Sequence, residues 1–492
     1  MLPRLEPSRE AFRASDRPQL VCARVINDID TPVSAFIKAA LGRPYAFLFE
    51  SVQGGEQRGR FSFFGFDPDL IWQANGDTAT LIRHAVNGEG HAEEMDGKPL
   101  NALRALISEI EFDLPEGLPP MTAGLFGYLG YDMVRQVEVL AQPNPDPIGT
   151  PDAIMVRPRT VCIFDQVKQE IIVAALVPPG GSYDEAETRI ARTVNDLSDP
   201  VPAAPSSTVQ TPTITPTLGT NLPAFATRVK AARDYILAGD VFQVVIGQRL
   251  CAPMVASPFA LYRSLRAMNP SPFLYFLDFD DHQIVGSSPE ILVRLRDGIV
   301  TIRPIAGTRP RGKTTAEDLD HERSLLADPK ECAEHLMLLD LGRNDVGRIV
   351  KAGTVNVTER FIVERYSHVM HIVSNVEGEI RDGLDCIDAL MAGFPAGTVS
   401  GAPKVRAMEI IDELEEEKRG IYAGAVGYIS ANGDMDTAIA LRTGIVKDNT
   451  LHVRAGAGIV LDSLERSEWM ETQHKAAAVF RAAEQSVRFE RN

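Results

Sequence analysis

Three β-rich runs follow one another with only turn residues between them: AGAVGYIS from Ala423, DTAIALRTGIV from Asp436 and LHVRAGAGIVL from Leu451. Strands joined by short turns pair antiparallel. This meander therefore commits the C-terminal part of the chain to an antiparallel sheet. The surrounding helices are grouped and do not alternate strictly with strands. TRVKAARDYILAGD reads as a helix ended by Gly239. DPKECAEHLMLLDL starts with Asp328 as a cap and Pro329 at the first helical position. In PKVRAMEIIDELEEE, Ala407, Ile410, Ile411 and Leu414 share one helix face. A last helix runs from about Leu464 to Ala483. Earlier in the chain AFLFESV and RTVCIFDQ are strand-like, with the helical NALRALISEI between them. The expected class is α+β: large antiparallel β-sheets in a sandwich-like core, outer helices, and an active-site cleft in the C-terminal part. A doubly wound nucleotide fold is disfavoured.

The 492 residues are 44% hydrophobic and 24% charged, the balance of a globular protein with a large core. A Pro/Ser/Thr-rich stretch, SDPVPAAPSSTVQTPTITPTLGT, forms a linker over residues 198–220. It separates a region of residues 1–197 from one of residues 221–492. The net charge of −17 argues against nucleic acid, which needs a basic face. An anionic small substrate requires positive charge gathered in one cleft. No apolar run is long enough to span a bilayer, and MLPRLEPSREAF lacks a signal-peptide core. The five cysteines are far apart with no C-x-x-C pair, which disfavours zinc or a disulfide framework and fits a reducing, cytoplasmic setting.

PIAGTRPRG, residues 304–312, reads as a turn of backbone donors with positive charge nearby, suited to an anion. With Lys313 and Thr314 it matches the spacing of a phosphate loop, but Pro310 removes a backbone donor and the residues after it are acidic. Glu468, Glu471 and Lys475 share a face of the last helix, and KECAEHLML offers Glu331, Glu334 and His335 on another. Such charges are ordinarily a solvated stripe. Two carboxylates on separate helices also suit Mg²⁺, which takes oxygen ligands and keeps waters. His368 and His371 lie three apart in a strand-like run, so they face opposite sides and one can face a cleft. Gly456, Ala457 and Gly458 would let a ligand approach the backbone. Arg442, in an apolar strand, calls for an anionic partner.

Seven ordered blocks carry a resemblance: PIAGTRPRG, KECAEHLMLLDLGRNDVGRI, RYSHVMHIVSNVEGEI, FPAGTVSGAPKVRAMEIIDELE, RGIYAGAVGYIS, DTAIALRTGIV and VRAGAGIVLDS with its following glutamates. Together they resemble the chorismate-utilising enzymes, and among them the anthranilate synthase component I (large subunit) family. The resemblance implies that Gly307, Thr308, Tyr422, Arg442, Gly456, Ala457 and Gly458 bind chorismate. It implies Mg²⁺ held by Glu334 and Glu471, and proton transfer by His371. In the related aminodeoxychorismate synthases, the nearest alternative, a lysine stands before Gly-Thr and can add covalently to the ring; here the residue is Ala306. In the isochorismate and salicylate synthases a lysine activates water where this chain has Gln243. Both positions favour amination by ammonia.

No G-x-C-x-G glutaminase motif is present, so the resemblance implies a separate glutamine amidotransferase subunit, component II, in a heterotetramer of two large and two small chains. It also implies feedback inhibition by L-tryptophan. FLFESV is similar to the family's inhibitor motif, with Ser51 in the key place, and NPSPFL supplies Pro272, Phe273 and Leu274.

Overall fold

Strand Gln243–Pro253 pairs antiparallel with Thr450–Ile459, and that strand with Thr443–Lys447. The ladder continues through His282–Ser288 and Phe273–Asp278 to Phe47–Glu50. These strands form one arm of a continuous antiparallel sheet in the computed structural model, which describes residues 3–13, 15–51, 59–83, 90–202, 211–366 and 369–490. The other arm runs from Gly124–Leu129 through Ala425–Ser430, Met435–Ile439, Ile291–Arg296 and Ile299–Ile302 to Val369–Glu379. Val369–Glu379 is flanked by Ile305–Pro310 and Asn356–Arg365. The long strands Phe61–Asn75 and Ala153–Asp165 connect the arms. Strands from before and after the linker thus interleave in one hydrogen-bonded sheet, as where Leu274 faces Glu50.

The arms pack face to face on an aromatic core. Phe47 stacks on Phe126 at 4.6 Å between ring centres, and Phe63 meets Tyr428 edge-on at 5.7 Å. Phe47, Phe126 and Tyr428 are buried, and each such side chain contributes about 1.5–3 kcal/mol by leaving water. Helices cover the outer faces. Pro32–Ala39, Tyr183–Ser198, Pro258–Met268 and Glu465–Ser486 pack on the first arm. Pro99–Ile110 and Cys386–Gly393 pack on the second. The sandwich-like α+β architecture is the one the strand pattern predicts. Among the described residues no helix is long and apolar enough to cross a membrane.

Two places differ from the sequence reading, and both matter for the site. DTAIALRTGIV is two strands, broken at Arg442, whose φ is +49°. The chain crosses there from the second arm back to the first. A parallel crossing in the opposite direction occurs at Pro289 and Glu290, between His282–Ser288 and Ile291–Arg296. The Ile439 N–H donates to Glu290 O (3.1 Å) and the Ser287 N–H to Arg442 O (3.3 Å), so the two crossings are tied together. PIAGTRPRG is no free turn. Residues 305–310 form a strand along Val369–Glu379, and the register slips between Ala306 and Thr308. Gly307 takes φ +69° there, a left-handed conformation that glycine adopts without strain.

Candidate active site

Where the two arms separate, beside both crossings, they leave a cavity of about 930 Å³. The first arm supplies Gln243, Val245, Arg454, Gly456 and Gly458; the second supplies Ile305, Ala306, Gly307, Thr308 and His371. The crossings supply Glu290 and Arg442. Tyr422 comes from the turn before Ala425–Ser430. Helices Pro329–Gly347 and Glu465–Ser486 bring Glu331 and Glu334 from one side and Glu468, Glu471 and Lys475 from the other.

Strand alternation explains which small residues matter. Gly456 and Gly458 face the cavity, where a Cβ on Gly456 would lie 2.9 Å from the Tyr422 hydroxyl and one on Gly458 2.5 Å from Gln243 Nε2. Ala457 faces the opposite way. Its side chain is buried with Val244, Ile246 and Ile459 and does not line the cavity, which corrects the placement expected of it.

His371 sits directly across the ladder from Thr308. Its Nδ1 lies 2.8 Å from Gly307 O and 3.1 Å from Thr308 Oγ1. The carbonyl can only accept, so Nδ1 carries the proton and Nε2 is the free base. Burial, seconded by the positive charge of Arg442, holds the imidazole below its ordinary pKa of 6.5. His371 is therefore neutral at pH 7. The Tyr366 ring packs edge-on against it at 5.4 Å. His368 lies outside the described residues. His335 faces away from the cavity: it is fully buried, with Nε2 2.7 Å from Ser374 Oγ, and burial pushes it down to about 4.

Glu290 escaped the sequence reading. It is 7% exposed, and the Thr398 hydroxyl donates to its carboxyl at 3.2 and 3.3 Å. Burial raises its pKa to about 8, so it carries a proton at neutral pH. The available signal was its setting, a carboxyl directly after Pro289 between the apolar runs HQIVG and ILVRL. A neutral imidazole and a protonated carboxyl in one cavity are an acid–base pair in the correct states for work at pH 7.

Arg442 is half-buried, and its guanidinium has no carboxylate partner among the described residues. Burial lowers its pKa. A buried cation facing a cavity is a receptor for a carboxylate. The two helices bring negative charge to the same cavity. Glu334 is raised above its usual value by burial first, then by Glu331 and, at longer range, Glu471. Glu471 pairs with Lys475 at 2.7 Å, and Lys475 Nζ also donates to Gly456 O at 3.0 Å. No group of three or more candidate ligands is close enough to hold a metal among the described residues. Two carboxylates on separate helices, one already destabilised as an anion, are nevertheless a donor set that fits a hydrated hard cation.

Ser51 and the stretch Pro272, Phe273 and Leu274 lie outside this cavity but beside one another. Glu50 faces Leu274 across the ladder, which puts Ser51 next to Phe273. Glu50 is buried, held by the Tyr262 hydroxyl and by Arg266 Nε at 2.7 Å. The ladder continues from Phe273 to Ser288 and from Gly286 to Thr443, next to Glu290 and Arg442.

The family profile described as chorismate binding enzyme matches residues 46–481. Anthranilate synthase component 1 of Cereibacter sphaeroides is 54% identical over 479 residues, covering 96% of each chain. The protein of the same name from Pseudomonas aeruginosa is 47% identical, covering 94% of this chain and 95% of its own. The crystal structure of anthranilate synthase component I from Streptococcus pneumoniae TIGR4 superposes with a TM-score of 0.76 at 38% identity, over 93% of this chain and 99% of that one. The menaquinone-specific isochorismate synthase of Escherichia coli shares the fold at 17% identity, with a TM-score of 0.70 over 96% of this chain and 97% of its own. The chain belongs to the chorismate-binding enzyme family and, within it, to the anthranilate synthase component 1 proteins.

Proposed function

We propose that this chain converts chorismate and ammonia to anthranilate and pyruvate, as the large subunit of an anthranilate synthase. The observation that carries the reading is the make-up of one cavity: Arg442, with no carboxylate partner among the described residues, and Tyr422 line it together with carboxylates from two helices and with Glu290 and His371 in opposite protonation states. Chorismate is a dicarboxylate. Arg442 and the Tyr422 hydroxyl receive the carboxylate of its enolpyruvyl arm. Glu334 and Glu471 would hold Mg²⁺, which when bound supplies charge to the ring carboxylate and makes the ring more electrophilic.

Ammonia attacks ring C2, the double bond shifts, and the 4-hydroxyl departs as water with the proton of Glu290, while the new C2 ammonium releases one proton to solvent and becomes the amine. Nε2 of His371 then takes the proton from C2. The C3–O bond breaks, enolpyruvate leaves and becomes pyruvate, and the ring is aromatic. Gln243 lines the cavity with its Oε1 buried and unpartnered among the described residues; it cannot act as the base that would activate water. Ala306, 9% exposed at the cavity wall, carries no nucleophile. Both features disfavour hydration and covalent addition, and with them the aminodeoxychorismate alternative.

Ammonia comes from a separate glutamine amidotransferase subunit, in an assembly of two large and two small chains. The five cysteines are free, as in a reducing cytoplasm. The test is direct: the isolated chain with Mg²⁺ and an ammonium salt forms anthranilate from chorismate, and with glutamine alone it does not. Glutamine-dependent activity of the pure chain, or a product other than anthranilate, overturns the reading.

L-tryptophan is the inhibitor this reading implies, bound at Ser51 with Pro272, Phe273 and Leu274. Two strand pairings lead from there to Arg442, so an inhibitor that prefers a displaced Phe273–Asp278 strand weakens chorismate binding, and chorismate weakens tryptophan binding by the same factor. Ser51→Phe relieves inhibition while ammonia-dependent kcat is kept. Calorimetry with equal tryptophan affinity in wild type and variant removes the site from consideration.

A further inference from the structure

Behind Tyr422 and the Gly456 strand lies a buried ionic triad that the reaction as described does not use. Glu415 is 2% exposed and accepts from Arg419 at 2.7 and 3.1 Å, from Arg454 at 3.1 Å and from the Gly247 N–H at 2.7 Å. Arg419 also donates to Val399 O (2.6 Å) and Val245 O (2.8 Å). Its guanidinium stands 4.8 Å from the centre of the Tyr131 ring and 5.6 Å from that of Tyr422. Arg454 donates to the carbonyls of Lys418 (2.6 Å) and Glu417 (3.1 Å). It lines the cavity on the same strand face as Gly456 and Gly458, and its Nε is buried with no hydrogen-bond partner among the described residues.

Two guanidiniums against one carboxylate leave one positive charge uncompensated. The neighbouring ions do not cancel it at the cavity wall. Glu417 is paired with Arg249 at 2.8 Å, and Lys418 with Asp152 at 2.5 Å. Asp132 and Asp412 share Arg135, at 3.0 and 2.8 Å, which leaves a negative surplus. That surplus borders a separate crevice, lined also by Glu415 and Arg419 but not by Arg454. Arg454 is the one member of the triad that lines the cavity, so the positive charge nearest the cavity is that of Arg454. The helices and the turn beside them line the cavity with Glu331, Glu334, Glu468, Glu471 and Asp462 against two lysines, Lys330 and Lys475. A dianion entering this acidic rim, in a chain of net charge −17, needs a counter-field to set which end goes where.

We propose that the Arg454–Glu415–Arg419 triad is a positioning device for the dicarboxylate substrate. Its one unbalanced positive charge lies under the cavity wall and draws the carboxylate that Arg442 and Tyr422 receive, while Arg419 against the Tyr422 ring fixes that hydroxyl. Arg454 is a positioning residue, since its outer nitrogens are spent on the 415–418 segment and it touches no reacting atom. The inference rests on the reading that a chorismate-like dicarboxylate occupies the cavity.

The test counts charge. Arg454→Met brings the triad to zero and raises KM for chorismate about tenfold, the size of one partly screened charge interaction, with a smaller change in kcat. Arg454→Lys keeps the charge and stays within about threefold of wild type. The double variant Arg454→Met with Glu415→Gln restores a single positive charge and recovers most of the lost KM. A purely structural role predicts that the double variant is no better than the single one, and that result, or an unchanged KM in Arg454→Met, overturns the proposal. If Arg454→Met does not fold, the lysine and double variants carry the test, and a KM well above wild type in both rejects it. Chorismate binding by calorimetry is read alongside turnover. Wild type that binds chorismate without turning it over fails the reaction reading, whereas loss of charge rescue in binding fails the triad.

Discussion

Glu290→Gln lowers the rate of anthranilate formation by about 10²–10⁴-fold, the usual contribution of a positioned general acid. The amide fills the same volume and still accepts from Thr398, so the fold is kept while the transferable proton is lost. Wild type gives the pH signature. Burial raises Glu290 to about 8, so the rate falls as pH climbs through that value and the carboxyl ionises. On the acid side the rate falls as His371 is protonated, below the ordinary imidazole value, because burial depresses its pKa. Stability follows the same group with a definite sign. A carboxyl raised in the fold from 4.5 to about 8 contributes its full stability below 4.5 and has lost it above about 8. Glutamine does not titrate, so the variant gains thermal stability relative to wild type across that window. A variant with near-normal rate, or a wild type whose rate shows no loss above pH 8, removes Glu290 from the mechanism.

Glu334→Gln abolishes activity at Mg²⁺ concentrations that saturate wild type, because it takes one of two protein carboxylates from a sparse oxygen site. A second readout is independent of turnover. In the metal-free protein the Glu334 anion is disfavoured by burial and by Glu331, so neutralising it raises the melting temperature. Added Mg²⁺ then stabilises wild type and leaves the variant unmoved. A variant that still shows the Mg²⁺-dependent shift places the cation elsewhere.

The contrast between these two carboxyls shows how far sequence reasoning reaches. Glu334 could be named as a candidate because the family resemblance points to it and because it lies on a helix whose cap and first-turn proline are local signals; the helix of Glu471 has neither. Glu290 was missed, because its local setting, a carboxyl after Pro289 between two apolar runs, does not say whether the fold exposes it or buries it. Its raised pKa is created by burial in the cavity wall, against the pull of the Thr398 hydroxyl, which comes from more than a hundred residues away and favours the anion. Arg442 was legible as an oddity in an apolar run, but its role at a crossing between sheet arms was not, since the break depends on pairing with His282–Ser288. PIAGTRPRG was read as a turn because its prolines and glycines dominate the local signal. The ladder along Val369–Glu379 overrides that signal and turns the glycine into a bulge.

The sequence alone determined the class of fold, through period-2 runs separated by turns, and it determined the ends of the helices, through caps such as Asp328 and Gly239. It also determined what chemistry is absent, since Ala306 and Gln243 lack a nucleophile and a base whatever surrounds them. Tertiary structure alone decided protonation and charge balance: which carboxyl keeps its proton, which histidine is a neutral base and which is only packed, and where two arginines meet one glutamate. The reason is physical. Periodicity and capping act over a few residues, whereas desolvation and Coulomb interactions are set by whatever the fold brings within a few ångströms, from any distance along the chain.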